Sequence, residues 1–185
     1  MEHELIARAQ QGDTLAFREL VEAYSGLAWR TARVLLRDSA RAEDATQEAW
    51  LDVWQNLHRF ELGRPFRSWL LTLLANRCRM IARRHTPTVT PLTQDDEDLL
   101  IGTDTTSEPA LQRETGDELR AVLAALPPDQ QHVLELRYFA DLDLAEIASL
   151  TGVPLGTVKS RLHRSLYAVR ARLQHNYDLI SNGGL

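Results

Sequence analysis

The chain has 185 residues, a formal net charge of −5, 44% hydrophobic and 25% charged residues, which allows one ordinary domain or two small ones. No stretch approaches the roughly 20 apolar residues of a membrane span, and the acidic start Met1-Glu2-His3-Glu4 with no apolar run behind it does not look like a signal peptide, so none is expected. The single cysteine, Cys78, excludes an internal disulfide and suits a reducing cytosol, so a cytoplasmic protein without membrane insertion is expected.

Helical periodicity dominates from the N-terminus, with little strand alternation and no β-branched runs. Residues 13–37 place Leu15, Leu20, Ala23, Tyr24, Leu27, Ala28, Thr31, Val34 and Leu35 close to one stripe, with Asp13 as the predicted N-cap. A second helix is predicted from about Arg41 to Leu57, with Ala42, Ala45, Ala49, Val53 and Leu57 along one side. Its acids Asp44, Glu48 and Asp52 recur every four residues and share another side. Such acids are commonly a solvated face, and Trp50 and Trp54 read as core. A third helix begins near Pro65, which suits a first turn, and reaches Arg84. Between Arg59 and Arg84 stand seven arginines and one acid, Glu61.

Residues 86–114 carry Pro87, Pro91, Pro109 and the run Asp95-Asp96-Glu97-Asp98, for a local charge of −6. Too little apolar surface is present to offset the entropy of ordering, so a flexible acidic linker is predicted. It is long enough to let its acids compete for basic surface elsewhere on the chain. Beyond it, Leu119, Val122, Leu123 and Leu126 share a helix face, and Pro127-Pro128 starts another helix carrying Val133, Leu134 and Tyr138. Asp143 with Glu146 makes a capping-box start. The last helix is predicted from about Leu155 to Leu173, with Val158, Leu162, Leu166, Val169 and Leu173 inward and a frayed tail after it. The predicted class is all-α: helical domains 1–85 and 115–174, linker 86–114 and tail 175–185.

From Leu144 to Arg161 the parts of a DNA-binding helix-turn-helix occur in order. Small Ala148 allows close helix approach, Gly152 can adopt the left-handed conformation, and Pro154 opens the second helix. Off the apolar stripe lie Thr157, Lys159, Ser160, Arg161 and Arg164, short polar and basic groups suited to a major groove. A solvated helix face would carry the same charges, but not the turn glycine and the proline at this spacing.

The strings LPPDQQHVLELRY (126–138), LAEIA (144–148) and GTVKSRLHRS (156–165) resemble region 4 of bacterial sigma factors of the extracytoplasmic-function group. GDTLAFRELVEAY (12–24) and AEDATQEAWLDVW (42–54) are similar to regions 2.1 and 2.2, and LHRFELGRPFRSWL (57–70) to regions 2.3 and 2.4. The resemblance implies a promoter-specificity subunit, not an enzyme, without cofactor or metal. Its partners would be the β′ clamp helices and β flap of core RNA polymerase, promoter DNA both duplex and single-stranded, and an anti-sigma factor. By position, Asp44, Gln47, Glu48 and Asp52 would bind the clamp. Arg59, Phe60, Arg64, Phe66, Arg67, Ser68, Trp69, Asn76, Arg79, Arg83 and Arg84 would hold the unpaired −10 strand, bases stacking on rings and phosphates meeting arginines. Pro154, Thr157, Lys159, Ser160, Arg161 and Arg164 would read the −35 duplex. Phe66 and Trp69 also read as core anchors of their loop. Family members commonly carry Phe-x-Gly-acid-small-small-Phe there, whereas this chain has Gly63 displaced by one and Arg64-Pro65, so the resemblance does not fix the captured base.

A helix-turn-helix repressor or activator with a helical sensor domain is the competing class, disfavoured by the arginine-aromatic loop. An enzyme has little support, because histidines 3, 58, 85, 132, 163 and 175 make no metal-ligand spacing and no Gly-rich phosphate loop appears. Cys78 reads as a buried helix residue or a redox switch.

Overall fold

The computed structural model describes residues 2–84 and 121–182, with side chains to residue 174. The chain divides into two compact units whose boundary, and with it the predicted linker, lies outside the described residues. Among the described residues there are helices and one isolated bridge, Leu62 with Arg64, but no strand.

The first unit holds α1 (Glu2–Gln10), α2 (Thr14–Leu36), α3 (Ser39–Asn56), a 3-10 turn (Leu57–Arg59) and α4 (Phe66–Arg84). Asp13 caps α2 as expected: its carboxylate accepts from the Leu15 (2.9 Å) and Ala16 (3.1 Å) amides. It also accepts from Arg8 at the end of α1 (2.7 Å), and these bonds, the Ala16 amide first, hold its pKa below the ordinary carboxylate value. Asp38 caps α3 by accepting from the Arg41 amide at 2.9 Å. The anticipated stripe of α3 is wholly inward: Ala42, Ala45, Ala49, Val53 and Leu57 are 2% exposed or less. These small alanines let α2 and α4 approach, and the core of Ile6, Leu20, Trp50, Phe60, Phe66 and Leu70 closes over them.

On α2 the inward stripe runs through Ala16, Leu20, Leu27, Thr31 and Val34, while Leu15 is 58% exposed and Ala23 also faces out. Leu15 leads that stripe by one residue, about 100° of helix, which turns it to solvent. Trp54, expected in the core, is 40% exposed and meets only the edge of Phe17 at 4.7 Å among the rings. The α1 helix was not anticipated; its apolar side is short, with Ile6 and Ala9 buried.

In the second unit residues 121–124 are helical, followed by α5 (Pro128–Leu134), a π-type turn (Glu135–Phe139), α6 (Leu144–Thr151) and α7 (Leu155–Asn182). Val122, Leu126, Val133, Leu136, Leu142, Ile147 and Val158 form its interior. The wider turn after α5 takes Tyr138 out of register with Leu134, so Tyr138 is 63% exposed rather than on the inner face. On α7, Ser165 is fully buried, its hydroxyl 3.1 Å from the Gln130 carbonyl, whereas Leu166 is 39% exposed. The helix also continues past Leu173 to Asn182.

Candidate functional site

The residues singled out in the sequence fall on three surfaces. On α3, Asp44 and Gln47 are exposed. Glu48 and Asp52 are not free acids: Arg77 of α4 donates through Nε and Nη2 to both oxygens of Asp52, and through Nη1 to Glu48 at 3.2 Å. The Asp52 side chain is only 18% exposed, and its bonds to Arg77 raise the guanidinium pKa above its ordinary value. The expected acidic face is therefore split. Asp44 and Gln47 are presented outward, with Leu51 (61% exposed) and Trp54 further along, while Asp52 ties α3 to α4. No periodicity in the sequence marks Arg77 as the partner, because the pair spans 25 residues.

The second surface lies between the 3-10 turn and α4. Gly63 takes a φ of +105°, a conformation L side chains rarely adopt, and lets the chain reverse so that the Arg64 amide donates to the Glu61 carbonyl at 3.2 Å. Arg64 and Glu61 also pair at 2.8 Å through side chains that remain about 70% exposed. The reversal leaves a cleft of about 290 Å3 bounded by Arg59, Arg64, Pro65, Ser68, Trp69 and Thr72. Phe60, Phe66 and Trp69 pack ring against ring at centroid distances of 4.9–5.8 Å. Their exposures separate their roles. Phe66 is fully buried, which fits its reading as a core anchor of the loop and leaves it no free face for a base, while Phe60 is 6% exposed yet lines the cleft. Trp69 is partly buried and lines the cleft. From Ser68 and Thr72 an exposed strip continues along α4 through Asn76, Arg79 and Arg83, with Arg84 at its end and Arg67 half-buried. Three- and four-residue steps put those groups on one side of the helix.

The third surface is the helix-turn-helix. Asp143 accepts from the Ala145 and Glu146 amides at 2.8 Å while Glu146 accepts from the Asp143 amide at 2.9 Å, a complete capping box. Gly152 ends α6 with φ +70°, donating to Ala148 O, and α7 starts behind Pro154, whose carbonyl accepts from Thr157 and Val158. Pro154, Lys159, Ser160 and Arg164 are exposed and Thr157 half-buried. Arg161 is partly exposed, at 28%, and pairs with Asp129 of α5 at 3.0 Å. It follows Val158 by three residues and so sits at the margin of the inward face.

Cys78 is buried in α4, and burial pushes its thiol up to about 12. Among the described residues no helix is long and apolar enough to cross a membrane.

Two family descriptions match the chain: Sigma-70 region 2 over residues 20–88 and Sigma-70, region 4 over residues 116–169. The ECF RNA polymerase sigma factor SigL of Mycobacterium tuberculosis is 30% identical over 91% of this chain and 95% of its own length. The Probable RNA polymerase sigma factor RfaY of Xanthomonas campestris pv. campestris is 31% identical over 99% of this chain, which spans 46% of that relative. The solved structure of CnrH in complex with the cytosolic domain of CnrY shares the fold, with a TM-score of 0.60 at 21% identity across 94% of this chain and 97% of that one.

Proposed function

Because the chain belongs to the extracytoplasmic-function group of RNA polymerase sigma factors, we propose that its two units read one promoter at two points while bound to core polymerase. The observation that carries this is the pairing, on one chain, of an arginine-bordered aromatic cleft with a helix-turn-helix. The first suits an unpaired strand and the second a duplex. Asp44 and Gln47 on α3 meet the basic surface of the β′ clamp helices, with Glu48 shared between that surface and Arg77. Trp69, Arg59, Arg64 and Ser68 hold a −10 base out of the stack, and Asn76, Arg79, Arg83 and Arg84 track the phosphates behind it. Pro154, Thr157, Lys159, Ser160 and Arg164 face the −35 duplex, and the second unit also meets the β flap.

The protein performs no bond chemistry in this reading. Melting is differential binding: extruding a base costs a few kcal/mol, and the cleft returns that only in the open state. The site of action is the cytoplasm, where polymerase is. CnrH is seen in complex with the cytosolic domain of CnrY, and the sigma factor RpoE with the anti-sigma factor NepR from Bartonella quintana; in this reading an anti-sigma factor likewise binds this chain and covers its polymerase-facing surfaces. Addition of the cognate inhibitor abolishes core binding; retained core binding in a formed inhibitor complex would remove that part of the proposal.

Run-off transcription on a library of host genomic fragments tests the main reading. Core polymerase with this protein is expected to start at a small set of sites sharing two spaced motifs. A chain that binds duplex DNA tightly alone, yet leaves the start sites of core polymerase unchanged, would be a repressor or activator instead.

A further inference from the structure

Gln10 closes α1, and its carboxamide reaches 47 and 50 residues along the chain. Its Nε2 donates to the carbonyl oxygens of Leu57 at 2.9 Å and of Phe60 at 2.7 Å. Those carbonyls bracket the 3-10 turn that delivers the chain into the −10 cleft. The Leu57 oxygen also accepts from the Phe60 amide at 3.0 Å, so one side chain fixes both ends of the turn. Ile6 and Ala9 of the same helix pack in one core with Leu57, Phe60 and Phe66. Phe60 in turn lies 4.9 Å from the Trp69 ring that lines the cleft. The helix that supplies Gln10 precedes the first residue matched to region 2, residue 20.

We infer that α1, through the Gln10 carboxamide, is the brace that sets the shape of the base-holding cleft, making Gln10 a positioning residue for base selection at the −10 element. This rests on the cleft being the single-strand site. Without the two donors the Phe60 carbonyl must turn to water and the Leu57 carbonyl keeps only the Phe60 amide, so the 3-10 turn loosens and Phe60 and Trp69 no longer hold one spacing. Discrimination among bases is lost before binding itself, because phosphate contacts along α4 are untouched.

The test uses the full-length chain with core polymerase. Affinity is measured for four fluorescent −10 single strands that differ only in the extruded base, alongside −35 duplex affinity, core affinity and the melting temperature. Gln10→Leu is expected to lower the ratio between the best and worst base by about tenfold. Core and −35 affinities should stay within about twofold, because the bonds removed are those to the turn at Leu57 and Phe60. Gln10→Lys, which keeps donors at similar reach, is expected to retain most of the ratio. A folded Gln10→Leu protein with undiminished discrimination overturns the inference. So does a folded Gln10→Lys variant that loses about tenfold of the wild-type ratio, and this arm holds even if the leucine variant does not fold. A wild-type protein indifferent to the four bases removes the cleft reading itself, and the brace with it.

Discussion

Arg77 commits its guanidinium to Asp52 and Glu48, whereas Arg79 lies exposed two positions, or about 200° of helix, further on. The same residue type therefore joins two helices at one position and stands exposed two positions on. Asp44→Asn is expected to weaken core polymerase binding about fivefold, the scale of one exposed charge contact, with urea unfolding unchanged. Asp52→Ala instead leaves a half-buried guanidinium without its bidentate partner. It is expected to cost the first unit about 1–3 kcal/mol by urea denaturation, and a loss confined to core affinity would contradict this assignment. The second unit separates in the same way. Lys159→Ala is expected to weaken −35 duplex binding and reduce the slope of log K against log salt by about 1. Arg161→Ala removes the Asp129 pair, costs about 1 kcal/mol or less of stability, and leaves base preference intact. At Cys78 the folded thiol titrates at about 12 against an ordinary 9.0, so it remains protonated at neutral pH. Ellman's reagent at pH 8 is expected to label it only after denaturant is added; rapid labelling of the native chain would indicate an accessible thiolate. The sign for stability follows, since the folded state holds this proton longer than the unfolded chain. The contribution is intact below about 9 and is lost as pH rises toward 12.

Among the elements, α3 and the helix-turn-helix were the most legible in sequence, because their determinants are local. A run of alanines at helical spacing can face only a close neighbour, and a capping box followed by glycine and proline fixes both ends of α6 within a dozen residues. Gly152 has no heavy atom within 4 Å of the position a Cβ would occupy, so its requirement is conformational alone. Gly152→Ala is accordingly expected to destabilise the second unit by about 1–2 kcal/mol in urea, and a neutral result would mean the turn relaxes out of the left-handed region. What escaped sequence reading depends on distant or irregular structure. Helix α1 is too short to carry a convincing stripe, and Gln10 shows its purpose only against carbonyls about 50 residues away. Tyr138 misled because the chain widens into a π-type turn just before it, and Leu166 because buried Ser165 occupies the inward position beside it. At the cleft the loop length and the arginine-aromatic mixture were readable. The division of labour between buried Phe66 and cleft-lining Trp69 was not, since both lie at the start of the same helix.

At the scale of the whole molecule, a net charge of −5 coexists with DNA binding because the basic residues are gathered on α4 and on the start of α7. In the proposed reading each surface alone is modest: one would hold a base by stacking and phosphates by charge, the other would read a groove. Linked on a single chain, the second contact becomes intramolecular once the first is made, which raises the effective affinity for a correctly spaced promoter. The most direct measurement is promoter activity for every single-base substitution across a mapped start site, with core polymerase and wild-type, Trp69→Ala or Lys159→Ala protein. Trp69→Ala is expected to flatten discrimination only within the −10 element and Lys159→Ala only within the −35 element. Both variants flattening the same element, or neither changing either, would contradict a two-point reader.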